Sequence, residues 1–376
     1  MTVELDDLIY DANIELIQLE IIGRCNMRCK HCRAANQPKD IINKSQMIKI
    51  IDFIKKVKSD DFRMNISGGE PFLHPKLLYF LELAKKNNID KFVITTNASL
   101  IDKDVLDKLD KLNLSYLCLQ VSIDSLNKDV HNKFRGYPGA FEKCEEVLEQ
   151  IKKYKNINSS IRMTITNDTI DEIDDMILFA IDKGCKIVSF GSVIPFGNAS
   201  DCKLSFFDES KEKFIKKIME KNKEYEGRIK VVTEDPLQNL YDYENNSLNL
   251  NFDITDNCIF GGCSAGTSSL NINSDGTITP CSMMNEKILN INDYDNVFDI
   301  IKEYESSAVI KKLFSRKYSG KCGKCQLSRI CGGCRAVAKA LTGDYMGPDL
   351  SCWRKIWLNF AIHICILAII MKSLKF

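Results

Sequence analysis

The chain has 376 residues, enough for one large core plus an appendage. Lys and Arg number 52 against 51 Asp and Glu, a net charge of +1 that gives no basic face for nucleic acid and no pull toward an acidic partner. Sixteen cysteines are many for this length, and they raise the question of what they hold.

The N-terminus, "MTVELDDLIYD", is acidic and carries neither the basic nor the apolar stretch of a secretory signal. The expected compartment is therefore the reducing cytoplasm. There, cysteines in close pairs bind metals or clusters instead of forming a disulfide scaffold. Paired lysines such as Lys55 and Lys56, Lys85 and Lys86, and Lys152 and Lys153 read as solvated helix faces.

From Leu16 onward, β-branched runs alternate with amphipathic helical stretches such as "MIKIIDFIKKVK". Strands are predicted at Leu16–Ile22, Phe62–Ser67, Lys91–Thr96, Tyr116–Ile123, Ser160–Thr166 and Lys186–Val193. Six β–α units in a row predict an α/β fold, a partial (β/α)6 TIM-type barrel with helices outside a parallel sheet. The expected domains are the barrel at 1–200, a connecting segment at 201–253, a cysteine-rich segment at 254–352 and an apolar tail at 353–376. The connecting segment reads as a helix near Phe207–Glu224 and a strand. With weak periodicity and eight cysteines, the third segment is expected to be held together by metal more than by apolar core.

The chemistry-bearing segments fall after predicted strands, where parallel barrels build their active face. Strand one is followed by "GRCNMRCKHCRAAN", with Cys25, Cys29 and Cys32 spaced C-x3-C-x2-C. An iron–sulfur cube takes four cysteines, so three leave one iron open for a further ligand. A zinc site would need a fourth ligand, for which His31 and His74 are candidates. "SGGEP" (Ser67–Pro71) follows strand two. Its Gly68 and Gly69 let the backbone come close to a partner, and Glu70 adds a carboxylate. "TTNAS" with Asn97 follows strand three, "SIDS" with Ser122 and Asp124 ends strand four, and "NKFRG" carries Arg135.

Together these motifs resemble the radical S-adenosylmethionine (SAM) superfamily. The resemblance implies a [4Fe–4S] cluster on Cys25, Cys29 and Cys32, with SAM's amino and carboxylate groups on the open iron. One electron would cleave SAM to methionine and a 5′-deoxyadenosyl radical. By the same resemblance, Gly68, Gly69 and Glu70 face SAM's amino group, Asn97 and Ser122 lie among its contacts, and Arg135 carries its carboxylate. Asp124 lies where ribose or substrate is touched and, on position alone, is the candidate proton acceptor.

The cysteine-rich segment resembles the SPASM extension of that superfamily, which holds two auxiliary [4Fe–4S] clusters. Carried over, Cys258, Cys263, Cys281 and Cys334 would ligate one, and Cys322, Cys325, Cys331 and Cys352 the other. The spacing Cys331-x2-Cys334 is one residue shorter than the commonest form, and zinc knuckles are the competing reading. The remaining Cys118, Cys144, Cys185, Cys202 and Cys365 read as small buried hydrophobes.

Extra clusters suit a net two-electron oxidation, because a substrate radical must lose one more electron to form a new bond. The resemblance therefore implies an oxidoreductase that modifies a ribosomally made peptide or protein, by crosslinking or dehydrogenation, with sulfatase maturation a variant of the same kind. "CGGCRAVAKALTGDYMGPDLSC" is also similar to SPASM enzymes of haem and haem d1 synthesis, so a tetrapyrrole substrate is the alternative. A non-catalytic iron–sulfur electron carrier is a third reading, opposed by the "GGEP" segment. Only 24 residues precede Cys25, so a leader peptide is expected to need a separate recognition protein or another surface. The expected reductant is a flavodoxin- or ferredoxin-type protein. "IWLNFAIHICILAII" (Ile356–Ile370) falls short of the ~20 residues that span a bilayer. It reads as a buried terminal helix or a contact with a partner or membrane surface.

Overall fold

Side-chain alternation along the strands explains both the sheet and the space it encloses. The computed structural model describes residues 1–201, 203–245 and 261–355. A short antiparallel hairpin, β1 (Thr2–Leu5) and β2 (Leu8–Asp11), precedes the sheet. The six predicted strands then appear as β3 (Ile14–Ile22), β4 (Lys58–Gly68), β5 (Lys91–Thr96), β6 (Tyr116–Ser122), β7 (Asn158–Ile165) and β8 (Ile187–Ser192). They pair in parallel in that order.

The parallel array is longer than six strands. β9 (Lys230–Val232) adds in parallel beside β8, and β10 (Ser269–Ile272) adds in parallel on the other side, beside β3. β11 (Thr277–Thr279) and β12 (Leu289–Asn290) continue from β10 as antiparallel strands, leaving β9 and β12 as the two edges of an open sheet. The segment expected only to connect thus extends the sheet at one edge, and the cysteine-rich segment extends it at the other.

The crossovers carry helices α1 (Lys44–Val57), α2 (Leu77–Lys86), α3 (Lys103–Lys111), α4 (Lys128–Arg135), α5 (Ala140–Ile151) and α6 (Ile173–Asp182). α7 (Asp208–Glu224) and α8 (Gln238–Glu244) flank β9 in sequence. α9 (Val297–Ser306), α10 (Ala308–Ser315), α11 (Gly320–Gly323) and α12 (Arg335–Thr342) lie in the cysteine-rich segment. α1 starts sharply because Asn43 and Gln46 cap each other's backbone, at 3.0 and 2.8 Å. Such a cap contributes about 1 kcal/mol.

Ile17 and Leu19 of β3, Leu117, Leu119 and Val121 of β6, and Val188 and Phe190 of β8 are buried in one apolar core with the helices. Each such side chain contributes roughly 1.5–3 kcal/mol. The intervening residues (Gln18, Cys118, Gln120, Ser122, Ser160, Arg162, Ser189) face inward and line a cavity of 1720 Å³. Parallel strands buried on both faces read as continuous apolar runs, whereas here the inner face is polar. The barrel interior is therefore a binding space.

The cysteine-rich segment has more apolar core than its sequence suggests. Leu270, Ile272, Ile278, Ile300, Tyr304 and Ile310 all join the main core, and Tyr304 Oη donates to the Gly266 carbonyl at 2.7 Å. Among the described residues, no helix is long and apolar enough to cross a membrane. The apolar tail, Cys202, Cys258 and Cys365 lie outside the described residues.

Candidate active site

The loop from Gly23 to Cys32 leaves β3 at the mouth of the cavity and is held from both sides. Arg28 N donates to Arg135 O at 3.2 Å and Lys30 N to Phe134 O at 2.9 Å, tying the loop to the end of α4. The His31 ring stacks on Phe134 at 4.7 Å between centroids. From the opposite side, Asn198 donates through its backbone to Cys32 O at 3.1 Å and through Nδ2 to Cys29 O at 3.0 Å. Gly197, at φ 59°, brings that chain so close to Cys32 and Arg33 that a Cβ would clash with their carbonyls.

Cys25, Cys29 and Cys32 all line the cavity. Burial pushes the Cys25 and Cys29 thiols up, Arg135 opposing it at Cys29. A bound metal reverses this, because a coordinating thiol is deprotonated by the ion's charge. The zinc alternative finds no fourth ligand at His74. Its Nε2 meets Ile42 O at 2.9 Å and its Nδ1 accepts from Lys76 N at 3.0 Å. Burial lowers the His31 ring to about 4, so it is neutral at physiological pH. Among the described residues, no group of three or more His, Cys, Asp or Glu converges on a single-ion site.

The "GGEP" turn packs directly on the cysteine loop. Gly69 N donates to Ile22 O at 2.7 Å and Glu70 N to Arg24 O at 2.9 Å. A Cβ at Gly69 would run into the Arg24 carbonyl, and Gly68 sits at φ 128° against Ile22. The backbone that these glycines approach is thus that of the first cysteine loop. Glu70 is 1 % exposed and already committed. Its carboxylate accepts from Thr96 Oγ1 at 2.8 Å, Asn97 N at 2.8 Å and Phe72 N at 3.2 Å. Burial nonetheless pushes its carboxyl up to about 7, with those hydrogen bonds opposing. Asn97 in turn points Nδ2 at Cys25 Sγ, 3.8 Å away, and at Asn26 Oδ1, 3.0 Å away.

Arg135 and Ser122 line the cavity, and Asp124 does not. The Asp124 carboxylate lies behind Arg135, with Oδ2 2.7 Å from its Nε and Oδ1 accepting from Thr164 N at 3.0 Å. Burial would raise its carboxyl, but Arg135 and the nearby His31 and His131 hold it below the usual range. A carboxylate so locked, and screened from the cavity by Arg135, makes a poor proton acceptor, which corrects the expectation drawn from its position in sequence.

The C-terminal cysteines gather into two sets. Cys263, Cys281 and Cys334 line the same large cavity as the first three cysteines. Their expected fourth partner, Cys258, is among the residues not described. Cys322, Cys325, Cys331 and Cys352 surround a separate small apolar space with Leu237, Leu240 and Leu327. Cys118, Cys144 and Cys185 are all buried as expected, Cys118 at the cavity wall.

Several residues of the site went unread in the sequence. Arg33, next to Cys32, forms an ion pair with fully buried Glu20 and donates to Ser67 Oγ at 3.0 Å. Arg162 of β7 donates to Ser189 Oγ at 2.5 Å beneath the cysteine loop. Asp235, bonded to nearly buried Lys211, lines the cavity near Cys334. A lone arginine in the middle of "SIRMTIT" was the available signal for Arg162; Glu20 and Asp235 gave none.

Residues 19–180 match the family model of the radical SAM superfamily. An AdoMet-dependent heme synthase of Methanosarcina barkeri is 27% identical over 343 residues, covering 90% of this chain and 95% of the relative. The antilisterial bacteriocin subtilosin biosynthesis protein AlbA of Bacillus subtilis is 26% identical over 346 residues, covering 89% of this chain and 70% of that one. Among solved structures, Streptococcus suis SuiB bound to its precursor peptide SuiA superimposes with a TM-score of 0.70 at 18% identity. That match covers 88% of this chain and 74% of SuiB, and it bears on the fold. The chain therefore contains a radical SAM domain at residues 19–180, with a cysteine-rich segment after it, and its relatives support the SPASM-like subgroup.

Proposed function

We propose that the protein oxidatively modifies a side chain of a ribosomally made peptide or protein, by crosslinking or dehydrogenation. The observation that carries this reading is the shared cavity. Cys25, Cys29 and Cys32 and, separately, Cys263, Cys281 and Cys334 line one space of 1720 Å³. A substrate bound there meets both cysteine sets at once.

The residues fit the cofactors of the family. Cys25, Cys29 and Cys32 would hold a [4Fe–4S] cluster with SAM on its open iron; bound there, the two supply a 5′-deoxyadenosyl radical for hydrogen abstraction. Arg135, fixed by Asp124, faces the cavity to receive SAM's carboxylate. Backbone carbonyls of the Gly68–Gly69 edge receive its amino group. Glu70 holds that edge against Thr96 and Asn97 and acts as a positioning residue. Ser122 contacts ribose or substrate from the end of β6. Cys258, Cys263, Cys281 and Cys334 would hold one auxiliary cluster, and Cys322, Cys325, Cys331 and Cys352 the second, which together take up the electron lost by the substrate radical. A flavodoxin- or ferredoxin-type protein delivers the initiating electron.

A peptide is favoured by the cavity's polar inner face, where Gln18, Asn65, Gln120 and Asn222 offer partners to main-chain amides. Two relatives point the same way, AlbA in bacteriocin biosynthesis and SuiB with its bound precursor peptide. A separate protein would recognise any leader. The second reading, oxidation of a tetrapyrrole side chain, is favoured by the heme synthase relative, which aligns over 95% of its length. Anaerobic incubation with SAM separates them. One reaction contains the peptide encoded by a short reading frame beside the gene, the other an iron tetrapyrrole with propionate side chains. Loss of hydrogens from the peptide by mass spectrometry supports the first reading; modification of the tetrapyrrole alone overturns it.

A further inference from the structure

Two arginines lie buried among the C-terminal cysteines, and among the described residues neither forms an ion pair. Arg335 is 1 % exposed and Arg316 5 %. Arg335 Nη1 donates to the carbonyls of Tyr345 and Gly347 at 2.9 and 2.8 Å, and Nη2 donates to Gly332 O. Arg316 Nη2 donates to Gly261 O at 2.9 Å and Cys263 O at 3.3 Å, while its Nε is buried without a partner. Among the described residues, these contacts are carbonyls and sulfur, and neither guanidinium forms an ion pair. A buried guanidinium costs several kcal/mol unless an anion balances it.

What lies next to Arg335 is sulfur. Its Nη2 also points at Cys322 Sγ, 3.9 Å away, and its guanidinium lies 4.3 Å from the centre of the Tyr318 ring. Tyr318 packs in one cluster with Cys322 and Cys334, against Cys263 and Cys281, so it stands between the two cysteine sets. Asp349 is fully buried across Gly333 from Arg335, but its hydrogen bonds go to other donors. Its Oδ2 accepts from Cys334 N at 2.7 Å, its Oδ1 from Ser351 N and Oγ at 2.9 and 2.7 Å, and its own N–H donates to Cys322 Sγ at 3.4 Å. Cys322 thus receives one backbone donor and faces one guanidinium that forms no ion pair.

We propose that the Arg335 guanidinium is a buried positive charge beside the cluster held by Cys322, Cys325, Cys331 and Cys352, and raises its reduction potential. This rests on the two-auxiliary-cluster reading above. Positive charge and hydrogen bonds at the ligand sulfurs stabilise the more reduced, more negative form of a cluster. The set on Cys263, Cys281 and Cys334 borders the substrate cavity, whereas the Cys322 set has its own small space. A raised outer potential favours the passage of one electron from the inner cluster, which is oxidised, to the outer one, which is reduced. No proton moves, and a ferredoxin-type protein takes the electron onward.

The test is an anaerobic redox titration of the reconstituted full-length protein by electron paramagnetic resonance, with iron counted in each sample. The outer signal is identified as the one lost in Cys325→Ser. In Arg335→Gln, which keeps a donor and removes the charge, the outer signal should move to lower potential with iron retained and the inner signal unmoved. Arg335→Lys should shift it less. An unmoved outer potential in Arg335→Gln with full iron overturns the proposal and leaves Arg335 a packing residue. If Arg335→Gln loses the outer iron, Arg335→Lys decides: retained iron supports the charge argument, and equal loss overturns it. Wild-type protein without auxiliary iron would overturn the parent reading instead, before any variant is made.

Discussion

Asp124 and Arg135 form a buried ion pair, Oδ2 to Nε at 2.7 Å, and Arg135 also points Nη1 at Cys29 Sγ, 3.9 Å away. The turn after β6 supplies one partner and helix α4 the other, and together they hold a guanidinium at the first cysteine loop. Removing one member of a buried pair costs about 3–5 kcal/mol, because the other is left uncompensated.

Asp124→Asn keeps an acceptor for Thr164 N but drops the charge that fixes Arg135. SAM retention and SAM cleavage should both fall at least several-fold, measured by equilibrium dialysis and by 5′-deoxyadenosine yield. A proton acceptor would behave differently: its loss would spare cleavage and abolish only product.

Gly69→Ala places a Cβ against the Arg24 carbonyl, backbone that cannot yield without moving the cysteine loop. Iron analysis of the reconstituted variant should show about four irons fewer than wild type, with the auxiliary clusters kept. Full iron and normal SAM cleavage would show that the two turns are not coupled.

Two buried groups set opposite pH slopes. Burial lowers the His131 ring to about 4, so the folded state binds fewer protons than the unfolded one between about 4 and 6.5, and acid weakens the fold there. Glu70, raised by burial to about 7, binds more protons when folded and makes acid stabilising between its ordinary 4.5 and about 7. Relative to wild type, His131→Asn should therefore gain up to about 2 kcal/mol when pH drops from 6.5 to 5, and Glu70→Gln should lose a similar amount. Urea denaturation of each variant and wild type at the two pH values checks both signs.

Cys281→Ala and Cys325→Ala strike different cysteine sets. Each should cost about four irons, and product should disappear while some uncoupled SAM cleavage survives. Loss of all cleavage in either would mean that the auxiliary sets support the first site structurally.

The strands that position the site were legible because β6, β7 and β8 are contiguous runs whose outer faces, such as Leu117, Leu119 and Val121, are apolar. β10 was not, since "SLNI" offers four residues inside a Ser- and Asn-rich stretch and becomes a strand only by pairing with β3. The cysteines were legible because ligand spacing is local. Their supports were not. Arg33 reaches Glu20 and the Ser282 carbonyl, and Asn198 crosses 169 positions to Cys29. Asp124 misled because sequence places it at the end of β6 without saying which way its carboxylate turns. The cysteine-rich segment seemed short of core because its apolar residues are spread among Gly and Asn, and β10 joining the main sheet buries them.

The central claim, a radical SAM enzyme with one catalytic and two auxiliary clusters, is tested most directly in one anaerobic experiment. The full chain is reconstituted with iron and sulfide, its iron is counted, and 5′-deoxyadenosine is assayed after adding SAM and dithionite. About twelve irons per chain with deoxyadenosine formed is the predicted result. Stoichiometric zinc, or clusters without deoxyadenosine, would contradict it.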